Sequence, residues 1–168
     1  ERGAVVLTIS SRAGTCFARD GFSLETFSRA NDFLTMSGRR RPPEGVLFYP
    51  GKKTWDLLCD INMKIDIAIP CSIQYDINHI DVLNFAARGG SCIIEGANLA
   101  CTHDAILTCD QYNVNRIGSI LANAGGVISS HEEMMGVRDS IARENVIQTL
   151  TNMYENSNET MHKYGLKN

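Results

Sequence analysis

The chain has 168 residues, 43% of them apolar and 21% charged, with a formal net charge of −3. These are the proportions of a globular protein large enough to bury one ordinary core. They give no electrostatic case for nucleic acid or an anionic membrane surface as partner. No apolar run approaches the roughly 20 residues of a membrane helix. The N-terminus has neither a starting Met nor the basic-then-apolar layout of a signal peptide, so the chain is expected to begin inside a longer one. Six cysteines, Cys16, Cys59, Cys71, Cys92, Cys101 and Cys109, form no Cys-x-x-Cys pair, and three adjoin apolar runs. They are expected to be reduced core thiols. Cys101, His103 and Cys109 lack the paired spacing of structural zinc sites, and no metal site is expected.

In chain order, Ala4-Val5-Val6-Leu7-Thr8-Ile9 is a β-branched run between Gly3 and the polar Ser10, Ser11 and Gly14, which predicts a strand. In dinucleotide-binding folds the second strand ends in an acid that accepts hydrogen bonds from the adenosine ribose, whereas a 2′-phosphate is better met by small hydroxyls and an Arg. Ser10, Ser11 and Arg12 therefore favour NADP over NAD if this strand has that place; an ordinary polar loop accounts for them equally well. Ser23 is placed to cap a helix carrying Leu24, Phe27, Ala30 and Leu34 on one face and stopped by Gly38. Arg39-Arg40-Arg41 ahead of Pro42-Pro43 reads as a solvated corner rather than an anion patch. Gly45 to Tyr49 is a second short apolar run. The turn Gly51-Lys52-Lys53-Thr54-Trp55 is not a phosphate loop, because that motif's earlier Gly and following helix are not expected here.

Ile65 to Cys71 predicts a strand apolar on both faces, closed by Pro70. Ile77, Ile80, Leu83 and Ala87 form a helical stripe ending at Gly89-Gly90. Cys92-Ile93-Ile94-Glu95-Gly96-Ala97-Asn98 then reads as a buried strand that stops at a Gly and delivers an amide two residues later. Ligands of open α/β sheets lie beyond the carboxyl ends of the strands, which makes Asn98 a candidate contact. A turn glycine and a capping Asn is the alternative. Thr102 is placed to cap a short helix through Thr108, and Arg116 to Leu121 is a weaker strand candidate. In Ala122-Asn123-Ala124-Gly125-Gly126-Val127 a glycine pair lets backbone approach a ligand and leads into a helix bearing Ser129 and Ser130. A long helix follows from about Asn145 to Tyr164, with Val146, Ile147, Leu150, Met153, Tyr154, Met161 and Tyr164 on one face and Gly165 at its end, and reads as a packing or interface helix. The alternation of strands and helices predicts an α/β fold with parallel strands joined by right-handed crossovers.

Taken in order, these motifs resemble the nucleotide-binding domain of the glutamate dehydrogenases, in the hexameric family that also holds the leucine, valine and phenylalanine dehydrogenases. The resemblance rests on Glu1-Arg2-Gly3-Ala4-Val5-Val6 with its Ser-rich turn, Gly51 to Trp55 before Cys59-Asp60, Asp66 to Cys71, Glu95-Gly96-Ala97-Asn98, and Asn123 to Val127 with Ser130 and Glu133-Met134. It implies a Rossmann-like, doubly wound, mostly parallel sheet, with a partial dinucleotide-binding domain over residues 1–140 and an amphipathic helix over 141–168 packing on it. It also implies part of an enzyme that reversibly deaminates L-glutamate to 2-oxoglutarate and ammonia, with NADP as cofactor and NAD as the other possibility, in a cytoplasmic homohexamer (a mitochondrial location is left open). Position by position, Ser10, Ser11 and Arg12 match the cofactor-discriminating turn, and Cys71 to Gln74 match a segment lying along the dinucleotide. Asn98 and Asn123 match amides of the nicotinamide region, and Ser130 matches a hydroxyl that binds the substrate side-chain carboxylate. Serine can donate one such bond, and that favours glutamate over apolar substrates.

The sequence also departs from the family pattern. The first strand with its Gly-rich turn and the substrate domain with its Lys and Asp residues are not in these 168 residues, so no catalytic residue is assigned and the chain alone is expected not to turn over. His131 follows Ser130 where a Gly is usual, Ala100-Cys101 replaces a Pro-Thr pair, and residues 61 to 64 look like an insertion. Without its first strand the sheet is expected to carry unpaired edges that associate. The alternatives are a shortened, non-catalytic nucleotide-binding or interaction module, or a fragment of a leucine, valine or phenylalanine dehydrogenase.

Overall fold

Gly14 shapes the first part of the molecule in the computed structural model, which describes residues 3–36, 41–58, 60 and 64–164, apart from the side chains of residues 139 and 140. Its φ of +140° suits glycine, and an added Cβ would fall 2.9 Å from Gly51 N and from the Phe48 ring. With the turn Arg12-Ala13 it folds β1 (Thr8–Ser11) back onto β2 (Gly14–Phe17), and β2 pairs on its other side with β3 (Leu47–Pro50). This sheet is antiparallel, in the order β1-β2-β3.

That arrangement corrects the expectation of a parallel strand over residues 4–9. Val5 is 66% exposed, and the segment before Thr8 is tied by single bonds, Ala18 N–H to Leu7 O (3.0 Å) and Phe22 N–H to Val6 O (2.9 Å). A hairpin turn and the end of a βαβ strand use the same small residues, and here Gly14 makes the hairpin.

The helix α1 (Leu24–Thr35) begins where Ser23 Oγ accepts from Thr26 N–H at 3.1 Å. It buries Ala30, Phe33 and Leu34 with Cys16 and Val46, and the Phe33 and Phe48 rings meet edge-on at 4.8 Å. Leu24, expected on that face, is 75% exposed. Four-residue strands span about 13 Å and a twelve-residue helix about 18 Å, so the sheet cannot cover the first turn. After β3 comes the short helix α2 (Thr54–Leu57), which overturns the expectation that no helix follows Lys53. Val46 still stands where a phosphate loop would need its first Gly.

The chain divides into two compact units, residues 1–65 with 87–89, and residues 66–86 with 90–168. The second unit is built on β4 (Ile67–Ala68), β5 (Cys92–Ile94) and β6 (Asn115–Ile117), a parallel sheet in the order β4-β5-β6. Ile67 pairs with Cys92, and Cys92 with Asn115. The helices α3 (His79–Ala87) and α4 (His103–Tyr112) make the crossovers. This is the mixed α/β architecture, with its parallel sheet, that the strand-helix alternation predicts.

Phe85, Ile77, Ile93, Val82, Ala105 and Cys109 fill the core of this unit. The α3 stripe is rotated from its expected phase. Val82 and Phe85 are buried and Ile80 is not, because Asn78 Oδ1 accepts from Ile80 N–H at 2.8 Å and starts the helix only at His79. Ile77 stays outside the helix and makes a parallel bridge with Cys101. β4 is shorter than expected, lies at the sheet edge among the described residues, and leaves Ile67 52% and Ile69 60% exposed rather than buried on both faces.

Beyond β6 the chain turns helical at Ser119 rather than continuing as a strand to Leu121, giving α5 (Ser119–Ala122), α6 (Gly125–Met134) and α7 (Asp139–Tyr164). α7 starts earlier than expected and packs on α6. Asn145 Nδ2 donates to Glu132 Oε2 at 2.7 Å, and Val146 and Leu150 lie over Gly125. Ile147, Tyr154 and Tyr164 of the expected stripe are exposed. The roles expected of Glu1, Arg2, Gly38, Arg39, Arg40, Cys59, residues 61–63 and Gly165 lie outside the described residues.

Candidate functional site

Parallel strands end on the same side, so β4, β5 and β6 deliver Pro70-Cys71, Glu95 to Asn98, and Gly118-Ser119 to one edge of the sheet. The ends are laced together by backbone. Ala97 N–H donates to Pro70 O at 2.8 Å, and Glu95 N–H to Ile117 O at 2.9 Å. Between them Gly96 runs close to the end of β4: a Cβ there would lie 2.5 Å from the exposed Cys71 Sγ and 3.3 Å from Pro70 O.

Asn98 and Asn123 meet at this edge. Asn123 Nδ2 donates to Asn98 Oδ1 at 2.6 Å and reaches Gly96 O at 3.4 Å. A carbonyl can face only the NH2 of an amide, so Gly96 O fixes how Asn123 is turned, and Asn123 in turn fixes Asn98. Asn98 Nδ2 and Asn123 Oδ1 bond no other described residue. The pair thus offers one NH2 donor and one C=O acceptor, the complement of a primary carboxamide such as that of nicotinamide.

Glu95 was not singled out as a site residue from sequence. It is 1% exposed, and its Oε1 accepts from Arg116 Nη1 at 3.0 Å while Oε2 accepts from Ser119 N–H at 3.2 Å. Ser119 Oγ accepts in turn from Leu99 N–H at 3.2 Å. The Cys101 thiol is pushed up well above the usual range, first by burial and then by its hydrogen bond to Glu95 and that carboxylate's charge. Burial also pushes Cys109 up to about 11 against the opposing Arg116 charge. The signal for Glu95 was a carboxylate placed directly after Ile93-Ile94, where only a partnered charge can be buried.

The other candidates are placed as follows. Cys71 is exposed beside Gly96, and Gln74 is exposed in the next turn, which the Tyr75 N–H bond to Leu99 O (2.9 Å) ties to the residue after Asn98. Ser130 is exposed on α6. Ser10, Ser11 and Arg12 belong to the first unit, at the β1–β2 hairpin. Ser10 does not stand in a loop after the strand as expected. It lies within β1, its Oγ bonded to Thr15 Oγ1 (2.8 Å) and Thr54 Oγ1 (2.5 Å), because the chain reverses two residues later. Ser11 Oγ accepts from Ala13 N–H at 3.1 Å, and Arg12 is exposed in the turn. No cluster of three or more His, Cys, Asp or Glu side chains able to hold a metal occurs among the described residues.

A parallel sheet with helical crossovers, whose carboxyl ends lie beside a glycine, two coupled amides and a buried carboxylate, has the architecture of an open α/β protein, a class whose ligands lie beyond that edge. The chain belongs to the Glutamate/Leucine/Phenylalanine/Valine dehydrogenase family, which matches residues 1–168. It is 28% identical to the NADP-specific glutamate dehydrogenase of Chlorella sorokiniana, over 99% of this chain and 33% of that protein. It is 31% identical to the NAD-specific glutamate dehydrogenase of Clostridium symbiosum, over 99% of this chain and 38% of that one. The structure of Plasmodium falciparum glutamate dehydrogenase 2 superposes with a TM-score of 0.80 at 26% identity, covering 97% of this chain and 37% of the other. The chain therefore spans between 33% and 38% of the length of these relatives.

Proposed function

We propose that this chain is the nicotinamide-nucleotide-binding part of a glutamate dehydrogenase that prefers NADP, and that acts reversibly between L-glutamate and 2-oxoglutarate with ammonia. The observation that carries the reading is the Asn98–Asn123 pair, a fixed donor and acceptor at the strand ends. The fit to the cofactor is chemical: neutral amides orient a carboxamide-bearing ring without charging it, and Gly96 keeps the floor beside them low. The bound nicotinamide supplies hydride exchange with the substrate Cα. Cys71 and Gln74 would lie along the dinucleotide. Ser11 and Arg12 would meet a 2′-phosphate, with Ser10 reduced to bracing the hairpin. Ser130 would donate to the substrate side-chain carboxylate.

Relatives of both NADP-specific and NAD-specific names match at similar identity, so the preference for NADP rests on Ser11 and Arg12 alone. The catalytic Lys and Asp would come from a substrate domain outside these residues. By itself the chain would not turn over; it would form one partial dinucleotide-binding domain with its terminal helix packed on it, and the full-length enzyme would be a cytoplasmic homohexamer.

The test is titration of NADPH and NADH into the full-length protein by nucleotide fluorescence. Asn123→Asp removes the donor and sets a carboxylate against Asn98 Oδ1 and Gly96 O, and should weaken both nucleotides about tenfold, ~1.4 kcal/mol. Arg12→Asp should weaken NADPH and spare NADH. Unchanged binding in Asn123→Asp would remove the amide pair from the site, and an unchanged NADPH-to-NADH ratio in Arg12→Asp would end the NADP preference.

A further inference from the structure

We propose that Glu95 is a positioning residue whose buried carboxylate sets the geometry of the Asn98–Asn123 pair through Ser119; its consequence for nucleotide rests on the function proposed above. The route is a chain of short bonds within the second unit. Glu95 Oε2 accepts from the backbone N–H of Ser119 at 3.2 Å. Ser119 opens α5, and the residue that closes α5 is Asn123, whose N–H donates to Ser119 O at 3.0 Å. The hydroxyl of the same Ser119 accepts from the N–H of Leu99, the neighbour of Asn98, at 3.2 Å. One residue therefore holds the backbone on both sides of the amide pair, and Glu95 holds that residue.

The carboxylate cannot swing away from this task. Its other oxygen is pinned by Arg116 Nη1 at 3.0 Å, and Arg116 is fixed on β6 opposite Ile93. Glu95 itself follows β5 directly, so its backbone is carried by the sheet. Burying a charge at this depth is costly unless every oxygen has a donor, and apolar residues of equal volume often fill such places at no loss of stability. What an apolar residue could not supply is the acceptor for Ser119 N–H. That bond links the end of β5, which leads to Asn98, with the helix that ends in Asn123.

The proposal is read first without any ligand, from the side-chain amide resonances of Asn123 in ¹H–¹⁵N spectra of the full chain. In Glu95→Gln and in Ser119→Ala these resonances should move and exchange with solvent about tenfold faster, in chains that still melt cooperatively. Ser119→Thr, which keeps the hydroxyl, should restore them. Glu95→Met, which removes the acceptor and fills a similar volume, carries the test should Glu95→Gln fail to fold; Ser119→Ala leaves the Glu95 bond to Ser119 N–H in place and tests the tie to Leu99. Unchanged Asn123 resonances in a folded Glu95→Gln or Glu95→Met overturn the proposal. NADPH affinity is the second readout. Glu95→Gln and Ser119→Ala should each weaken it about tenfold, and the double variant little further, because both break one chain of bonds. Full additivity would also overturn the proposal. Altered Asn123 resonances in a chain that binds neither NADPH nor NADH would uphold the positioning role and count against the nucleotide reading alone.

Discussion

Replacing Gly96 with alanine forces a methyl group to within 2.5 Å of Cys71 Sγ. The exposed thiol must then turn to another rotamer, which puts the loss at the low end of the usual cost of overpacking, about 1 kcal/mol. The clash is with a sulfur rather than with backbone, so Cys71→Ala should recover most of that loss in the double variant, as read by denaturant midpoints. Buried thiols give a second expectation. Cys109 stays protonated in the folded chain up to about 11, against an ordinary value of 9.0, and Cys101 is shifted in the same direction. Above about pH 9 the unfolded chain sheds these protons while the folded chain keeps them. The stabilisation is therefore whole below that pH and is lost as pH rises toward the folded values, at about 1.4 kcal/mol per pH unit for each thiol. Melting temperatures followed from neutral pH to about pH 11 should fall less steeply in Cys109→Ala. At this scale Gly96 and Asn98 were legible because an apolar run that stops at a glycine and an amide is a local signal. The work of Glu95 was not, since its partners Arg116 and Ser119 arrive from the next strand and helix. Ser10 misled for a related reason: nothing local to it reveals that the chain doubles back at Arg12.

Two helix starts were read from their capping residues. Ser23 and Thr102 cap α1 and α4 as expected, each side chain accepting from the N–H three residues on. Thr102→Ala should cost about 1 kcal/mol, seen as a lower denaturant midpoint; a change smaller than the error of that midpoint would show that the cap is dispensable. Helix faces were read less well. The stripe assigned to α3 counted Ile77 within the helix, whereas Asn78 and Asp81 cap each other's turn and begin the helix at His79. A shift of phase by one or two residues exchanges buried for exposed positions, which is how Val82 and Phe85 came inside and Ile80 stayed out. α4 overran its expected end at Thr108 and stopped at Asn113, whose φ of +56° gives the left-handed cap that asparagine tolerates.

For the whole molecule, the parallel half of the architecture was legible from alternating strands and helices, and the antiparallel half was not. A strand, a glycine and a second apolar run describe a hairpin and a crossover equally until the loop length is known. The edge of the parallel sheet carries the clearest consequence. Ile67 of β4 and Ile69 just past it are exposed, and among the described residues β4 has a strand partner on one side alone, a template on which another strand can add. The 168-residue chain in isolation should self-associate through this edge. A lysine at position 69, in Ile69→Lys, should raise the monomer fraction in sedimentation velocity with no loss of nucleotide affinity. Equal association of the two chains would place the contact elsewhere.

The two sheets also differ in how they can assemble in time. The β1–β2 hairpin closes over the two residues Arg12 and Ala13, a loop whose closure entropy is small. Each ladder of the parallel sheet must first enclose a whole helix, α3 for β4 with β5 and α4 for β5 with β6. Pairings of that span are slow because chain entropy is lost before any bond is gained. β5, which bears Glu95, Gly96 and Asn98 at its end, waits on both neighbours. In pulse-labelled hydrogen exchange during refolding, the amides of the hairpin should be protected before those of β5, so the strand ends that carry the amide pair would be among the last parts of the chain to take shape.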